Sequence, residues 1–211
     1  MELLKVANGN IPRTEEEKQK MIDEGEEAYA RFLTAMGFDY KADENSKDTP
    51  RRYAKSFVED LIKGSLSKEP VMNAFPNAEK YSGMVCQAGI PIHSLCSHHH
   101  REVAGLAHIA YIPGEGGLMI GLSKLNRIAH FYAQRAQIQE SLTKQIHDHV
   151  DKVCKGNLGI AVLVQATHGC VTCRGVKNNS QMFTCELTGV FIDQHNKSRD
   201  EFYRMIELSK K

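Results

Sequence analysis

The chain has 211 residues, of which 41% are hydrophobic and 25% charged, which is enough for one domain with an appendage or two small domains around a real core. Its 27 basic and 26 acidic residues leave a net charge of +1, so no long-range field favours nucleic acid or a membrane surface. No apolar run is long enough to cross a bilayer and residues 1–5 lack a signal-peptide core, so we expect a cytoplasmic protein.

Residues 1–66 are predicted to form an N-terminal helical region. Thr14 and the three glutamates after it favour a helix start, so the first helix is expected over residues 13–37. A second helix is expected to begin near Pro50, at its first helical position, and to end near Gly64. The apolar positions expected to face inward are Met21, Ala28, Phe32, Met36, Tyr53, Phe57, Leu61 and Ile62.

Residues 67–211 are predicted to form a unit of strands and helices, entered through a surface connection over residues 65–80. Ser123 is expected to cap its first long helix. The alternation of elements predicts an α+β fold, with two helices packed on one face of an antiparallel sheet. The predicted elements are a strand at 103–112, a turn at 113–117, helices at 123–136 and 139–154, strands at 158–166 and 182–192, and a helix at 198–208.

The segment 96–100 is the strongest indicator of chemistry, because it holds one thiol and three imidazoles in a row. Cys96 and His99 are spaced so that one turn can offer both to the same ion, and Cys170 is the natural third ligand. Sulfur and imidazole nitrogen are donors that zinc prefers. Three protein ligands and a water describe a catalytic zinc site, and the spare imidazoles of His98 and His168 favour catalysis over a structural role.

Two alternatives to a catalytic metal site remain open from the spacing alone. Cys170 and Cys173 form a C-x-x-C pair, so Cys173 could be the fourth ligand of a closed structural site. A disulfide between Cys96 and Cys170 could instead form on oxidation. If the segment after Cys170 is extended, Cys173 should point away from the metal. The cysteines expected to be small buried hydrophobes are Cys86, Cys154 and Cys185.

The start of the first long helix carries groups suited to an anion. Ser123, Lys124 and Arg127 add a hydroxyl and two cations to the positive end of the helix dipole. Arg174 would bring another cation to the same anion-binding site, so polyphosphate is a reasonable ligand class. Taken alone, these residues also fit an ordinary helix with surface cations.

The next helix begins with Gln139 and Glu140. A carboxylate can accept two parallel hydrogen bonds from the N1–H and the exocyclic amine of guanine, a pair of donors that adenine and the pyrimidines lack. Taken alone, Glu140 also fits a favourable interaction with the helix dipole. His147 and His149, further along this helix, are expected at the surface.

Together these residues resemble the GTP cyclohydrolase I family over about residues 14–207. The resemblance implies a tunnelling fold (T-fold), an antiparallel sheet with two helices on one face after an N-terminal helical region. It implies conversion of GTP and water to 7,8-dihydroneopterin triphosphate and formate, and a homo-oligomer, usually a decamer, with active sites at subunit interfaces. The matching segments are 48–52 with Lys55, 96–99, 121–127, 137–140 and 168–175.

The resemblance also implies roles for individual residues. The implied zinc ligands are Cys96, His99 and Cys170, and the zinc-bound water would attack C8 of guanine. His168 would protonate N7, His98 would transfer a proton at the opening ribose, and Ser123 would assist the ribose rearrangement. The residues implied in binding GTP are Gln139 and Glu140 at the base, and Lys124, Arg127 and Arg174 at the triphosphate with Arg52 and Lys55 of a neighbouring subunit.

Three positions depart from the pattern of that family. Ser97 stands where Glu is common, His100 where an apolar residue is common, and Cys173 where cysteine is unusual. The first two lie beside the implied ligands, so they bear on metal affinity and pH optimum. The third keeps the closed four-ligand site open as an alternative.

Two other functions compete with the cyclohydrolase. A related T-fold nitrile reductase of the queuosine pathway uses NADPH and a nucleophilic cysteine without zinc, and the paired His98 and His99 argue against it. The other alternative is a non-catalytic, zinc-stabilised oligomer that binds nucleotide. The departures at Ser97 and His100 are the features that would indicate such a loss of activity. For the cyclohydrolase, the product could feed folate, tetrahydropterin or 7-deazaguanine synthesis.

Overall fold

The computed structural model describes residues 2–210, in which short helical elements precede the main sheet. The helices are α1 (Glu15–Ala35), α2 (Thr49–Ser56), α3 (Lys63–Leu66), α4 (Leu122–Ala133), α5 (Gln139–Val153), α6 (Gly169–Thr172) and α7 (Ser198–Leu208). A π-helical turn, Phe57–Leu61, follows α2, and a 3-10 turn, Gly189–Phe191, follows the last strand. None of the described helices combines the length and apolar character needed to cross a membrane.

Five strands form the main sheet in the order β5-β2-β3-β6-β7. The pairs β2–β3, β3–β6 and β6–β7 are antiparallel, whereas β5 pairs with β2 in parallel over two residues. β1 and β4 form a separate antiparallel ribbon. The strands are β1 (Ala74–Pro76), β2 (Val85–Cys96), β3 (Glu102–Pro113), β4 (Leu118–Ile120), β5 (Ala136–Gln137), β6 (Asn157–His168) and β7 (Met182–Leu187).

The two long helices, α4 and α5, pack on one face of this sheet. Ile128 of α4 and Ile146 of α5 are fully buried in the same cluster as Ile109 of β3. Because successive strand residues face opposite sides, Ala110 lies on the other face, in a cluster with Phe202 of α7. The α+β prediction, with an N-terminal helical region and two helices on one face of the sheet, is therefore confirmed.

The helix α1 begins where the sequence predicts. The Thr14 side chain accepts a hydrogen bond from the Glu17 N–H at 3.1 Å, and the Glu17 carboxylate accepts one from the Thr14 N–H at 2.8 Å. The N-terminal helices share a small hydrophobic cluster that is separate from the main core. Its buried members are Ile22, Ala54, Val58 and Leu66. The domain boundary after residue 66 stays a prediction.

Predictions of local burial in the N-terminal region are partly wrong. Phe32, Met36 and Tyr53 were expected to face inward, but their exposed fractions are 52%, 56% and 40%. The apolar stripe of a helix predicts which face is buried. Here the small cluster that packs against α1 does not extend to these three side chains, so they stay exposed. The connection expected over residues 65–80 also contains β1, a strand too short for its sequence to display a period.

Three further predictions in the second unit are wrong. Ser123 does not cap α4, because the N-cap is Gly121 and Ser123 lies inside the first turn. His147 and His149 are buried, since α5 contacts neighbours on more than one side and supplies them with Thr188 and Tyr132 as hydrogen-bond partners at 3.0 and 3.1 Å. Cys185 is expected to be a small buried hydrophobe, but it is exposed, because it lies on β7 at the edge of the sheet.

Ile146→Ala tests the packing of α5 on the sheet. The substitution removes a fully buried side chain and leaves a cavity, so the free energy of unfolding should fall by about 2–5 kcal/mol. Ile192→Ala is the matched control at a position that is 60% exposed, and it should change that free energy by about 0.5 kcal/mol or less. Guanidinium unfolding followed by circular dichroism measures both, and equal effects would contradict the packing described.

Candidate functional site

The two thiols of the site meet because β3 lies between β2 and β6 in the sheet. Cys96 is the last residue of β2, and Cys170 lies in α6, directly after β6. Val103, near the start of β3, is paired in register with His168, the last residue of β6. This register brings Cys96 Sγ to 3.9 Å from Cys170 Sγ, although the two residues are 74 positions apart in the chain.

The tight turn between β2 and β3 carries the run of histidines. It is closed by hydrogen bonds from the Cys96 N–H to the Arg101 carbonyl at 2.9 Å and from the His100 N–H to the Cys96 carbonyl at 2.8 Å. His100 has a φ of 47°, in the left-handed region that non-glycine residues seldom adopt. The turn leaves His98, His99 and His100 exposed.

The ligand atoms of Cys96, His168 and Cys170 all lie within 4.8 Å of one another. All six thiols of the chain are free, so the structure does not adopt the alternative of a Cys96–Cys170 disulfide. Two soft sulfur donors and one imidazole are a donor set that zinc accepts. The residues present therefore fit a zinc ion.

The imidazole in this group is His168 and not the predicted ligand His99. The Nε2 atom of His99 instead accepts a hydrogen bond from the Arg174 guanidinium at 3.0 Å. His98 lies closer to the thiols, with Nδ1 at 3.7 Å from Cys96 Sγ. His99 is exposed on the same turn as Cys96, and its role as a ligand stays a prediction.

The protonation state of Cys170 bears on metal binding. Desolvation, with the Cys96 thiol beside it, raises the pKa of Cys170 above its usual value. Without a cation, the neutral thiol is therefore the favoured form. A bound metal ion favours the thiolate and would displace the proton, so metal affinity should rise with pH.

Cys173 does not join the thiol pair. The segment after His168 forms the single helical turn α6 and is not extended, so the argument from strand alternation does not apply. Cys173 is exposed, and its Sγ donates to the Gly169 carbonyl at 2.7 Å. It is absent from the group of mutually close ligand atoms in residues 2–210, so this arrangement does not favour a closed four-ligand site.

His168 is supported from behind by Gln139, whose Oε1 lies 2.8 Å from His168 Nε2. Burial lowers the pKa of His168, with the nearby Glu140 carboxylate opposing that shift, so the ring is neutral near pH 7. Gln139 is 2% exposed, so in this arrangement it acts on the site through His168. Its contact with guanine stays a prediction.

The remaining predicted residues lie on exposed or half-buried surfaces. Glu140 is exposed in the first turn of α5, and Arg174 is exposed after α6. Arg52 and Lys55 lie on α2 and pair with residues that flank this helix, Arg52 with Asp48 at 3.3 Å and Lys55 with Glu59 at 3.8 Å. The predicted residues in the first two turns of α4 are Ser123 and Arg127, both exposed, and Lys124, which is half-buried.

A cleft of about 540 Å³ borders the histidine turn. Aromatic side chains from α1 and α2 form one wall, and the turn forms the other; the residues concerned are Tyr29, Phe32, Tyr53, His99, His100 and Arg101. A larger cavity, about 750 Å³, lies at the end of α1 beside Phe38 and Tyr40. That cavity lacks a thiol or imidazole among its lining residues, so we place the site at the thiol pair.

Sequence reasoning missed two threonines behind His168. Thr184 Oγ1 lies 3.1 Å from Gln139 Nε2 and 2.5 Å from Thr143 Oγ1. In the sequence, each of these threonines shows only a hydroxyl at an inward-facing position of a strand or a helix. Such a position does not by itself indicate a function.

Comparison with known proteins gives a family for the chain. Residues 25–207 match the family model of GTP cyclohydrolase I. The chain is 39% identical over 197 residues to GTP cyclohydrolase 1 of Flavobacterium johnsoniae, covering 92% of this chain and 84% of that protein. It is 42% identical over 183 residues to GTP cyclohydrolase 1 2 of Pseudomonas aeruginosa (86% and 98% covered). It is also 42% identical over 188 residues to GTP cyclohydrolase 1 of Alkalilimnicola ehrlichii (88% and 98% covered).

Cys170→Ser tests the metal centre. Protein prepared with zinc and dialysed without chelator should hold about one zinc per chain, and loss of one soft ligand should weaken zinc binding at least about tenfold. Cys185→Ser removes an exposed thiol on β7 and should leave the zinc content unchanged. Inductively coupled plasma mass spectrometry measures all three proteins. Equal zinc in both variants would contradict a site at the thiol pair.

Proposed function

The chain belongs to the GTP cyclohydrolase I family, and from this premise we propose how its residues carry out that activity. The protein is a GTP cyclohydrolase I, an enzyme that opens the imidazole ring of guanine in GTP, releases formate and forms 7,8-dihydroneopterin triphosphate. Family membership overturns the reductase and the non-catalytic hypotheses. The observation that carries the residue assignments is the close group of Cys96, His168 and Cys170.

We propose that zinc is held by Cys96, His99 and Cys170. The 3.9 Å separation of the two thiols supports this assignment, as does the position of His99 on the turn that follows Cys96. His99 would exchange its hydrogen bond with Arg174 for the metal, whereas His168 would keep its bond to Gln139. When bound, zinc supplies Lewis acidity that activates a water molecule near neutral pH.

His168 and His98 are proposed to move protons. His168 lies beside the thiols and is neutral near pH 7, so it would first take up a proton on its free ring nitrogen and then deliver that proton to N7 of guanine. His98 lies on the exposed side of Cys96 and would transfer a proton at the opening ribose. Ser123, exposed in the first turn of α4, would assist the ribose rearrangement that follows loss of formate.

Charged residues around the site are proposed to bind the two ends of GTP. Glu140 is exposed at the start of α5, close enough to His168 to act on its pKa, and would accept the paired N–H donors of guanine. Gln139 is proposed to take part at the same end. The triphosphate would be bound by Lys124 and Arg127 at the positive end of α4 and by Arg174, whose guanidinium already donates to His99 on the histidine turn.

A homo-oligomer, a decamer by resemblance to the family, is proposed to complete the site. The strand β7 is at the open edge of the sheet, and Phe183 on it is 58% exposed. Phe32 and Phe38 are 52% and 63% exposed in the N-terminal region. Contact with neighbouring copies would remove this apolar surface from water and bring Arg52 and Lys55 to the triphosphate.

A cytoplasmic location is proposed as well.

Incubation of the zinc-loaded protein with GTP is the test of this function. Formate should be released, and oxidation of the product should give neopterin fluorescence, whereas ATP should give neither. His168→Ala should lower kcat by at least about 100-fold, because it removes the proposed proton donor. Unchanged formate release by this variant would remove His168 from the mechanism.

Zinc content separates the two imidazoles in the same experiment. His99→Ala should lose zinc, and His168→Ala should retain it, because His99 is the proposed ligand. Zinc loss in His168→Ala with retention in His99→Ala would exchange the two roles.

A further inference from the structure

A chain of hydrogen bonds, most of them part-buried, runs from His168 into the contact between α5 and β7. His168 Nε2 bonds to Gln139 Oε1 at 2.8 Å, and Gln139 Nε2 lies 3.1 Å from Thr184 Oγ1. Thr184 Oγ1 is 2.5 Å from Thr143 Oγ1, whose hydroxyl donates to the Gln139 carbonyl at 2.9 Å. The chain thus returns to Gln139, in the first turn of α5.

Two backbone carbonyls fix the orientation of the Gln139 amide. The carbonyl oxygens of Val164 and Met182 each lie 3.1 Å from Gln139 Nε2, and a carbonyl oxygen accepts hydrogen bonds without donating them. The amide nitrogen must therefore face these carbonyls, which turns Oε1 toward His168. Since Oε1 also accepts without donating, the proton between them belongs to His168 Nε2, and the neutral ring keeps its lone pair on Nδ1.

The two threonines have equally definite roles. Thr143 donates to a carbonyl, so it must accept from Thr184, and Thr184 must in turn accept from Gln139. The two amide protons of Gln139 are shared among three acceptors, and Thr184 Oγ1 is the acceptor among them that belongs to a side chain. Thr184 therefore joins β7 to the first turn of α5 at the amide that supports His168.

We propose that Thr184 is a positioning residue of the cyclohydrolase reaction. It holds Gln139 so that His168 keeps the tautomer with the proton on Nε2 and a fixed ring orientation. This inference rests on the proposed role of His168, and Thr184 acts entirely through Gln139 and His168. Partners behind a functional imidazole commonly change activity about 10–100-fold when they are replaced.

Thr184→Val and Thr184→Ser separate the hydroxyl from the shape of the side chain. Valine keeps the size of threonine without the hydroxyl, so kcat should fall by about tenfold while KM for GTP stays within about twofold. Serine keeps the hydroxyl, so Thr184→Ser should retain kcat within about twofold of wild type. Wild-type kcat in Thr184→Val, or equal loss in both variants, would overturn the proposal.

Thr188→Val is the matched control, because Thr188 makes a comparable hydrogen bond to buried His147 at 3.0 Å in the same contact of α5 with the end of β7. It should leave kcat unchanged. A loss of kcat equal to that of Thr184→Val would overturn the proposal, since any weakening of this contact would then suffice. Zinc content and thermal midpoints, measured for every variant, identify molecules that are unfolded or lack metal.

Solid-state 15N spectra of histidine-labelled protein test the tautomer without reference to turnover. The His168 signal, assigned by its loss in His168→Ala, should show a protonated Nε2 in wild type and a mixed population in Thr184→Val. A protonated Nδ1 in wild type would overturn the proposal. Absence of formate release by wild type would overturn the proposed function instead, and the 15N spectra would then decide alone on the positioning of His168.

Discussion

The pairing of β3 with β2 on one side and β6 on the other is the constraint on which the site depends. It joins the end of β2, where Cys96 lies, to the end of β6, where His168 and Cys170 lie. The thiols stand 3.9 Å apart without a disulfide, and desolvation raises the pKa of Cys170. Desolvation opposes the charged form of Cys170, and the close group of two thiols and an imidazole could hold a metal ion that favours the thiolate.

The helix α5 links the packing of the sheet to the orientation of the His168 imidazole. Ile146 on this helix is fully buried against the sheet, and the same packing holds Gln139 behind His168. Thr143 and Thr184 then connect the first turn of α5 to the edge strand β7. The imidazole is therefore held by a mostly part-buried network of hydrogen bonds. On the proposed mechanism, residues that never meet GTP would contribute to its turnover.

Sequence reasoning predicted the features that are local in the chain. The helix start at Thr14, the two long helices and the α+β class follow from short-range periodicity and capping chemistry. The burial of His147 and the exposure of Phe32 did not follow, because each depends on which residues distant in the chain pack against it. The thiol pair was predicted from ligand chemistry, whereas the presence of His168 beside it comes from the register of β3 with β6.

Two thiolates, and no third, are proposed to share a zinc ion with an imidazole. Zinc K-edge absorption spectroscopy of the zinc-loaded wild-type protein counts the sulfur neighbours directly. We expect two sulfur neighbours, with nitrogen and oxygen completing the shell, and an unchanged spectrum for Cys173→Ser. A third sulfur that disappears in Cys173→Ser, or zinc with no sulfur neighbour, would contradict this account of the site.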